Sequence, residues 1–355
     1  MINTIMSQFK INSITDRSGY CGPVIAGVST NNSTGCMIIP AGPIEHRGGR
    51  GRGVVMGGRN HPTAYSRIDL VEIATAGNTT DFGDLAFAMS GGSGGNSSST
   101  RAFSVGGYNS TADALTTSMQ YIIISSSGGA NDFGDLRSTN SANGGGSNNT
   151  RGLLYGGNNP DFLSSIVQFN LQSLGQESDF GTVFEGLHIR NVATATSPTR
   201  ALFGGGQQNA GVTSLIAFRE IASAGTVFKF GDLTYDASGH EKVSSSTRGI
   251  FGGGKAPSGP LCVTNMDFVT IASEGNGQDF GDLTEGRRNI SGNSNSIRGT
   301  FAAGTTASSG TGNNVNTIDF ITIASTGNAS DFGDLANQAR ASNMGGSDSH
   351  GGLAQ

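Results

Sequence analysis

Short aliphatic runs recur along the chain at an even beat, separated by stretches rich in glycine, serine and asparagine. The runs are "RIDLVEIA", "MQYIIIS", "IVQFNLQ", "LIAFREIA", "MDFVTIA" and "IDFITIA". The last aliphatic residue of each (Ile73, Ile124, Leu171, Ile221, Ile271, Ile323) stands nine residues before a phenylalanine (Phe82, Phe133, Phe180, Phe230, Phe280, Phe332). So rigid an offset predicts a strand–turn–strand hairpin in every copy. No 3.6-residue periodicity appears anywhere, so no helix is predicted.

The phenylalanines are spaced by 51, 47, 50, 50 and 52 residues and lie in a recurring "DFGDL"-type motif, with "SDFGTV" and "FKFGDL" as the divergent copies. A second element keeps the same beat. Arg52, Arg101, Arg151, Arg200, Arg248 and Arg298 each open a short run ending in glycine, as in "RGVVMGG" and "RGIFGGG". Each unit therefore holds four strands: one rich in Ser and Asn, one led by Arg, one aliphatic, and one carrying Phe-Gly. The loops at 107–118, 157–164, 206–214 and 305–316 differ between copies, which places them at the surface.

Four short strands per roughly 50 residues, repeated, indicate an all-β fold of the β-propeller type. Over residues 44–355 the pattern resembles the Kelch repeat, with Phe where Kelch units usually carry Trp. The segment after Leu335, "ANQARASNMGGSDSHGGLAQ", reads as the first half of a further unit, with "HGGLAQ" standing where "RGTFAAG" stands. "PVIAGVS" and "CMIIP" near the N-terminus would supply its second half. This gives seven blades, the last closed by strands from both termini. The alternative is six blades and an N-terminal arm. The domain expectation is a docking arm over 1–20 and a single propeller over 21–355.

Composition narrows the function classes. Of 355 residues 58 are Gly, 13% are charged, and none is Trp. The net charge of −5 gives no global basic field for nucleic acid. The three cysteines (Cys21, Cys36, Cys262) make no disulfide framework and no CxxC. No stretch approaches the roughly 20 apolar residues of a membrane helix, and none combines a basic start with an apolar run as a secretion signal does. Made in a cytoplasm and soluble is the resulting expectation.

Repetition disposes of several motif matches. Asp-Phe-Gly is the magnesium-binding signature of protein kinases, but a kinase needs one copy, an HRD loop and a β3 lysine. "GIFGGGKA" (249–256) fits the phosphate loop GxxxxGK, but Ala256 replaces the Ser or Thr that binds Mg²⁺. "HRGGRGRG" (46–53) looks like an RNA-binding tract and reads better as a solvated lead into the first unit. The five histidines show no metal-ligand spacing. No enzyme, cofactor or metal is therefore expected.

The motif instead reads as architecture. The Phe is an anchor packed between neighbouring units, and the Gly permits positive φ or close backbone approach. The second aspartates (Asp84, Asp135, Asp232, Asp282, Asp334) either pair with the recurring arginines or are solvated turn carboxylates. Calcium binding by the aspartate pairs is a third option, but one unit offers few oxygen ligands.

"TRGIFGGG" followed by "NTIDFITIASTGNASDFGDL" resembles the tandem repeats of virion and tail-fibre proteins of tailed phages, especially marine cyanophages. The resemblance spans nearly the whole chain. It implies a non-enzymatic structural protein of the virion, folded in the host cytoplasm and present in multiple copies. The partners implied are other virion proteins, and a host-surface glycan or protein if the loops serve attachment. A cellular Kelch-type interaction scaffold, or a carbohydrate-binding or carbohydrate-active propeller, are the other readings.

Overall fold

The computed structural model describes residues 51–353, apart from 93, 258–261, 308–312 and 337. It also describes the pairing of two short strands, Ser29–Thr30 with Met37–Ile38. The chain separates into two compact units, Met1–Pro43 and Ile44–Gln355, and everything below concerns the second.

The fold is all-β. Among the described residues it comprises many small antiparallel sheets, an arrangement compatible with a propeller. Six of these sheets follow the sequence repeat. The third, in pairing order, is Gly144–Ser147, Arg151–Tyr155, Ser165–Asn170 and Ser178–Thr182. The fourth is Ala193–Thr196, Arg200–Gly204, Leu215–Glu220 and Phe228–Asp232. The fifth (Glu241–Ser244 through Gln278–Asp282) and the sixth (Ser291–Ser294 through Ser330–Asp334) have the same order. The second has Arg101–Val105, Ser118–Ile123 and Asn131–Asp135, with an isolated bridge from Ser97 to Ala102 in place of its first strand.

The first sheet corrects the sequence reading of the C-terminus. Its Arg-led strand (Arg52–Met56), aliphatic strand (Arg67–Glu72) and Phe-Gly strand (Thr80–Asp84) are joined by Met344–Ser347 from the far end of the chain. The segment expected to open a seventh unit therefore completes the first one. "HGGLAQ" does not take the place of an Arg-led strand: residues 350–353 form a turn. Of the N-terminal strands expected to join a seventh unit, only the pairing of Ser29–Thr30 with Met37–Ile38 is described, and the rest lies outside the described residues. The physical reason is edge satisfaction. Without Met344–Ser347, the buried backbone of Arg52–Met56 would have no partner on that side.

The first strands approach one another closely, and Gly144–Ser147, Ser291–Ser294 and Met344–Ser347 carry glycine there. In Gly144–Ser147 all four residues are buried. A Cβ on Gly146 would lie 2.5 Å from the Thr194 methyl of the next sheet. Just before each first strand the chain turns through a left-handed residue: Gly91, Ala142, Asn191, Gly239, Asn289 and Ser342, with φ between 53° and 67°. Each of these donates its N–H to the carbonyl of its counterpart in the preceding sheet. The bonds run Ala142 to Gly91 (2.8 Å), Asn191 to Ala142 (2.6 Å), Gly239 to Asn191 (3.2 Å), Asn289 to Gly239 (2.6 Å), Ser342 to Asn289 (2.9 Å) and Gly91 to Ser342 (3.0 Å). The series ends where it began.

Side-chain packing makes the same circuit. The repeat phenylalanines are 1–4% exposed. Each lies in a cluster that continues into the next sheet. Phe82 packs with Ala102, Ile122 and Ile124; Phe280 packs with Phe301, Ile321 and Ile323. Phe332 of the sixth sheet packs with Val55, Val71 and Ile73 of the first. Four of the phenylalanines also meet an aromatic ring of their own sheet edge-on, as Phe332 meets Phe320 at 5.9 Å and 68°. Removing a buried ring of this size costs about 3–5 kcal/mol. Phe332→Ala, at the junction of the last and first sheets, is expected to lower stability by about that amount in urea denaturation followed by circular dichroism; a loss under about 1 kcal/mol would mean the junction does not depend on the ring.

Candidate functional site

The recurring arginines lie at the junctions between sheets. Each Nη1 donates to the carbonyl of the last aliphatic residue of the next sheet's third strand: Arg52 to Ile124 (2.8 Å), Arg101 to Leu171 (3.1 Å), Arg151 to Ile221 (2.5 Å), Arg200 to Ile271 (3.1 Å), Arg248 to Ile323 (3.0 Å) and Arg298 to Ile73 (3.3 Å). The last bond again leads from the sixth sheet to the first. In four copies the guanidinium also sits 4.4–4.7 Å above an aromatic ring of its own third strand: Tyr121, Phe218, Phe268 or Phe320. Arg52, whose sheet has Leu70 in that place, contacts Glu72 at 3.3 Å, and Arg200 adds the equivalent contact with Glu220 at 2.9 Å to its ring.

The expected pairing of these arginines with the second aspartates is not what forms. Register explains why. Arg52 lies opposite Glu72, at the end of the aliphatic strand, whereas Asp84 lies opposite Arg67, at its start. The strand between them holds the two charges roughly 15 Å apart. The aspartates instead accept from the hydroxyl just before the aliphatic strand: Asp84 from Ser66 (2.8 Å), Asp135 from Thr117 (2.9 Å) and Asp282 from Thr264 (2.7 Å). In the divergent copy Asp232 takes Lys229 at 2.8 Å. Each of these aspartates is the last residue of its Phe-Gly strand.

The Gly of the motif serves close approach. At Gly333 (φ 143°) a Cβ would lie 2.5 Å from the Gly77 carbonyl of the first sheet. With no side chain there, Gly77 N–H reaches the Phe332 carbonyl at 2.7 Å and Thr79 N–H reaches that of Asp334 at 2.9 Å. The Asn78 side chain accepts the Asp334 N–H at 3.0 Å.

At one end of the first strands a belt of hydroxyls joins neighbours reciprocally. Ser147 Oγ donates to the Ser97 carbonyl (2.7 Å) and accepts the Ser97 N–H (2.9 Å). The same exchange links Ser97 with Ser347, Ser347 with Ser294, and Ser294 with Ser244. The C-terminal turn lies across these strand ends. His350 Nε2 donates to the Ser97 carbonyl at 3.0 Å, while Nδ1 accepts the Gly352 N–H at 3.1 Å. Gly351 N–H reaches the Ser244 carbonyl at 3.0 Å. A Cβ on Gly352 would collide with the Ser147 carbonyl.

Near the left-handed residues, toward the other end of the first strands, lies an open cavity of about 370 Å³ lined by all six sheets and their loops. Around it stand six equivalent residue pairs, nine of whose twelve members line it. One member precedes the left-handed residue, and the other follows the paired glycines that end the Arg-led run. They are Ala341 with Arg59, Ser90 with Tyr108, Ser141 with Asn158, Arg190 with Gln207, Ser238 with Lys255, and Arg288 with Thr305. Four of the six carry one cation and none carries a carboxylate. Lys242 adds a fifth cation from a first strand, next to Glu241 at 2.9 Å. The loops singled out by their variable length continue from this rim, as with Tyr108–Asn109 and Gln207–Gln208. Burial holds His240 in the cavity wall neutral, with its pKa pushed down to about 4.

Sequence reasoning placed the Arg and Phe ladders but missed this cavity. Its cations are not shared by all copies, so only comparison of unlike copies could have found them. Two buried ion pairs at equivalent positions, Arg287 with Asp319 (2.6 Å) and Arg340 with Asp69 (2.5 Å), were missed as well. Among the described residues no group of three or more His, Cys, Asp and Glu is placed to hold a metal ion. Cys21 and Cys36 lie outside the described residues.

A comparison with family models finds no match, and no curated protein is similar at a significant level.

His350 sets a pH dependence. Burial depresses its pKa from 6.5 to about 4, so the folded chain excludes a proton that the unfolded chain takes up. Stability is undiminished above pH 6.5, falls as the pH drops from there, and levels off below 4. By proton linkage the loss from this residue at pH 5, relative to pH 7.5, is about 2 kcal/mol. Urea denaturation of His350→Gln at the two pH values should show a correspondingly smaller drop than the wild type; an equal drop would remove His350 as its source.

Proposed function

We propose that the protein is a six-bladed β-propeller serving as a non-enzymatic structural component of a phage virion. The repeat sheets would be its blades, with Met344–Ser347 completing the first. Six is preferred to seven because each type of junction contact from the sixth sheet leads back to the first.

The observation that carries the structural reading is the identity of the junctions. Each repeat unit uses the same Arg-to-carbonyl bond and the same Phe packing to bind its neighbour, leaving the repeat residues occupied with architecture. The junctions rely mainly on backbone hydrogen bonds, guanidinium–carbonyl bonds and apolar packing, which salt weakens less than exposed ion pairs. That suits a particle outside the cell. The assignment to a virion rests on the resemblance of the repeat wording to phage tandem-repeat proteins. Loops of unequal length beside one cavity suit contact with another virion protein or a host surface.

Mass spectrometry of purified particles tests the assignment. The protein is expected among the virion proteins in multiple copies, and its absence from intact particles would overturn the reading. Attachment is tested separately: antibodies against the purified chain should reduce adsorption to host cells if the loops contact the receptor, and leave it unchanged if the protein is decoration.

A further inference from the structure

The cavity beside the variable loops has features that the ring of junctions does not require. Arg59, Arg190, Lys242, Lys255 and Arg288 all line it. Five of the 21 Lys and Arg residues of an acidic chain are thus gathered at one place. The only carboxylate among the lining residues is Glu241, already in contact with Lys242.

The fold itself supplies the control. At equivalent positions of sister sheets the residues are neutral: Ser90, Ser141 and Ser238 stand where Arg190 and Arg288 stand, and Gly145 where Lys242 stands. Those sheets pair in the same way without a charge. The cations are additions to a working framework, made against their mutual repulsion. Arg288 and Lys255 lie close enough together that both act to lower the pKa of the Cys262 thiol, against the larger effect of its burial.

A second observation points to a ligand independently. Asn143, 7% exposed in the cavity wall, has neither its amide nitrogen nor its amide oxygen in a hydrogen bond. Arg190 Nε is buried and unpartnered as well. Unmet buried polar atoms are costly, and here they provide both donors and an acceptor beside the cations. Tyr108 presents a ring at the same rim. Donors and acceptors with an aromatic face suit hydroxyl groups on a compact ring, and five cations suit more than one negative charge. The volume of about 370 Å³ is within the range of small-ligand sites.

We propose that this cavity binds a phosphorylated saccharide carrying at least two negative charges. Lys242 and Lys255 would meet the phosphate groups as point charges, Arg190 would donate to an oxyanion, and Asn143 would contact hydroxyls. The site stands whether or not the chain is a virion component, since it rests on the cavity alone.

Isothermal titration of the purified full chain with fructose 1,6-bisphosphate tests it, with fructose and inorganic pyrophosphate as comparison ligands. The bisphosphate is expected to bind with about one-to-one stoichiometry and to weaken about tenfold or more as salt rises from about 0.02 to about 0.5 M. Fructose should give no measurable binding, and pyrophosphate should bind about tenfold more weakly for want of hydroxyl contacts. Lys242→Met and Lys255→Gln should each weaken bisphosphate binding about tenfold. The exposed Arg137→Gln should leave it unchanged, with thermal unfolding confirming that all three variants fold. No bisphosphate binding by the wild type, or equal binding by the Lys242 and Lys255 variants, would overturn the site. A loss in Arg137→Gln as large as theirs would reduce it to general charge attraction. Pyrophosphate binding as tight as the bisphosphate would overturn its assignment to a saccharide. None of these outcomes bears on whether particles contain the protein.

Discussion

At five of the six junctions the backbone of the Phe-Gly strand is used by the sheet that follows it, Asn131–Asp135 being the exception, and the rest of the structure depends on this shared edge. The Phe332 carbonyl accepts from Gly77, and the Phe82 carbonyl accepts from Gly128 at 2.8 Å. The approach is possible only because the motif residue beside the carbonyl has no side chain. Once the two backbones are that close, the phenylalanine ring has only one place to go, the layer between sheets. The arginine of the same sheet then reaches the neighbour's third strand. Hydrogen bond, ring and guanidinium are three results of one spacing, which is why they recur together.

This explains why so much of the architecture could be read from the sequence. Residues that serve every junction are held to a fixed interval, and a fixed interval is visible without coordinates. Four strands per unit, their order, and the burial of Phe82 and its counterparts all follow from the beat. The partner of the arginine did not follow. Charge suggested a carboxylate, but the antiparallel register puts Asp84 and Arg52 at opposite ends of a strand. Backbone carbonyls leave no mark in a sequence, so an Arg-to-carbonyl bond is invisible there. The C-terminal segment was misplaced for a related reason. "MGGS" was read as the start of a unit, which is its role in every internal copy, but the remainder of its sheet lies at the other end of the chain.

The cavity was illegible for the opposite reason. Lys242 stands where the sister copies carry Gly or Thr, and Arg190 and Arg288 stand where the other four copies carry Ser or Ala. A reading that gains its strength from repetition treats such departures as drift. In three dimensions the departures converge on one space. Repetition is thus a guide to what holds this molecule together, and irregularity is a guide to what it binds.

The pairing of Met344–Ser347 with Arg52–Met56 carries a consequence for biosynthesis. Arg52–Met56 is made before the other two strands of its own sheet's N-terminal part, Arg67–Glu72 and Thr80–Asp84, yet the strand that flanks it is made after every other described strand. Between the synthesis of Thr80–Asp84 and that of Met344–Ser347 the first sheet has one bare edge, exposed to other nascent chains of the same sequence with the same bare edge. Glycine-rich closing strands offer such neighbours little side-chain surface to grip, and the turn at His350 fastens the late strand as soon as it arrives. A polysome crowded with copies of this message would therefore put the order of synthesis, and not the finished fold, under the greatest selection against mispairing.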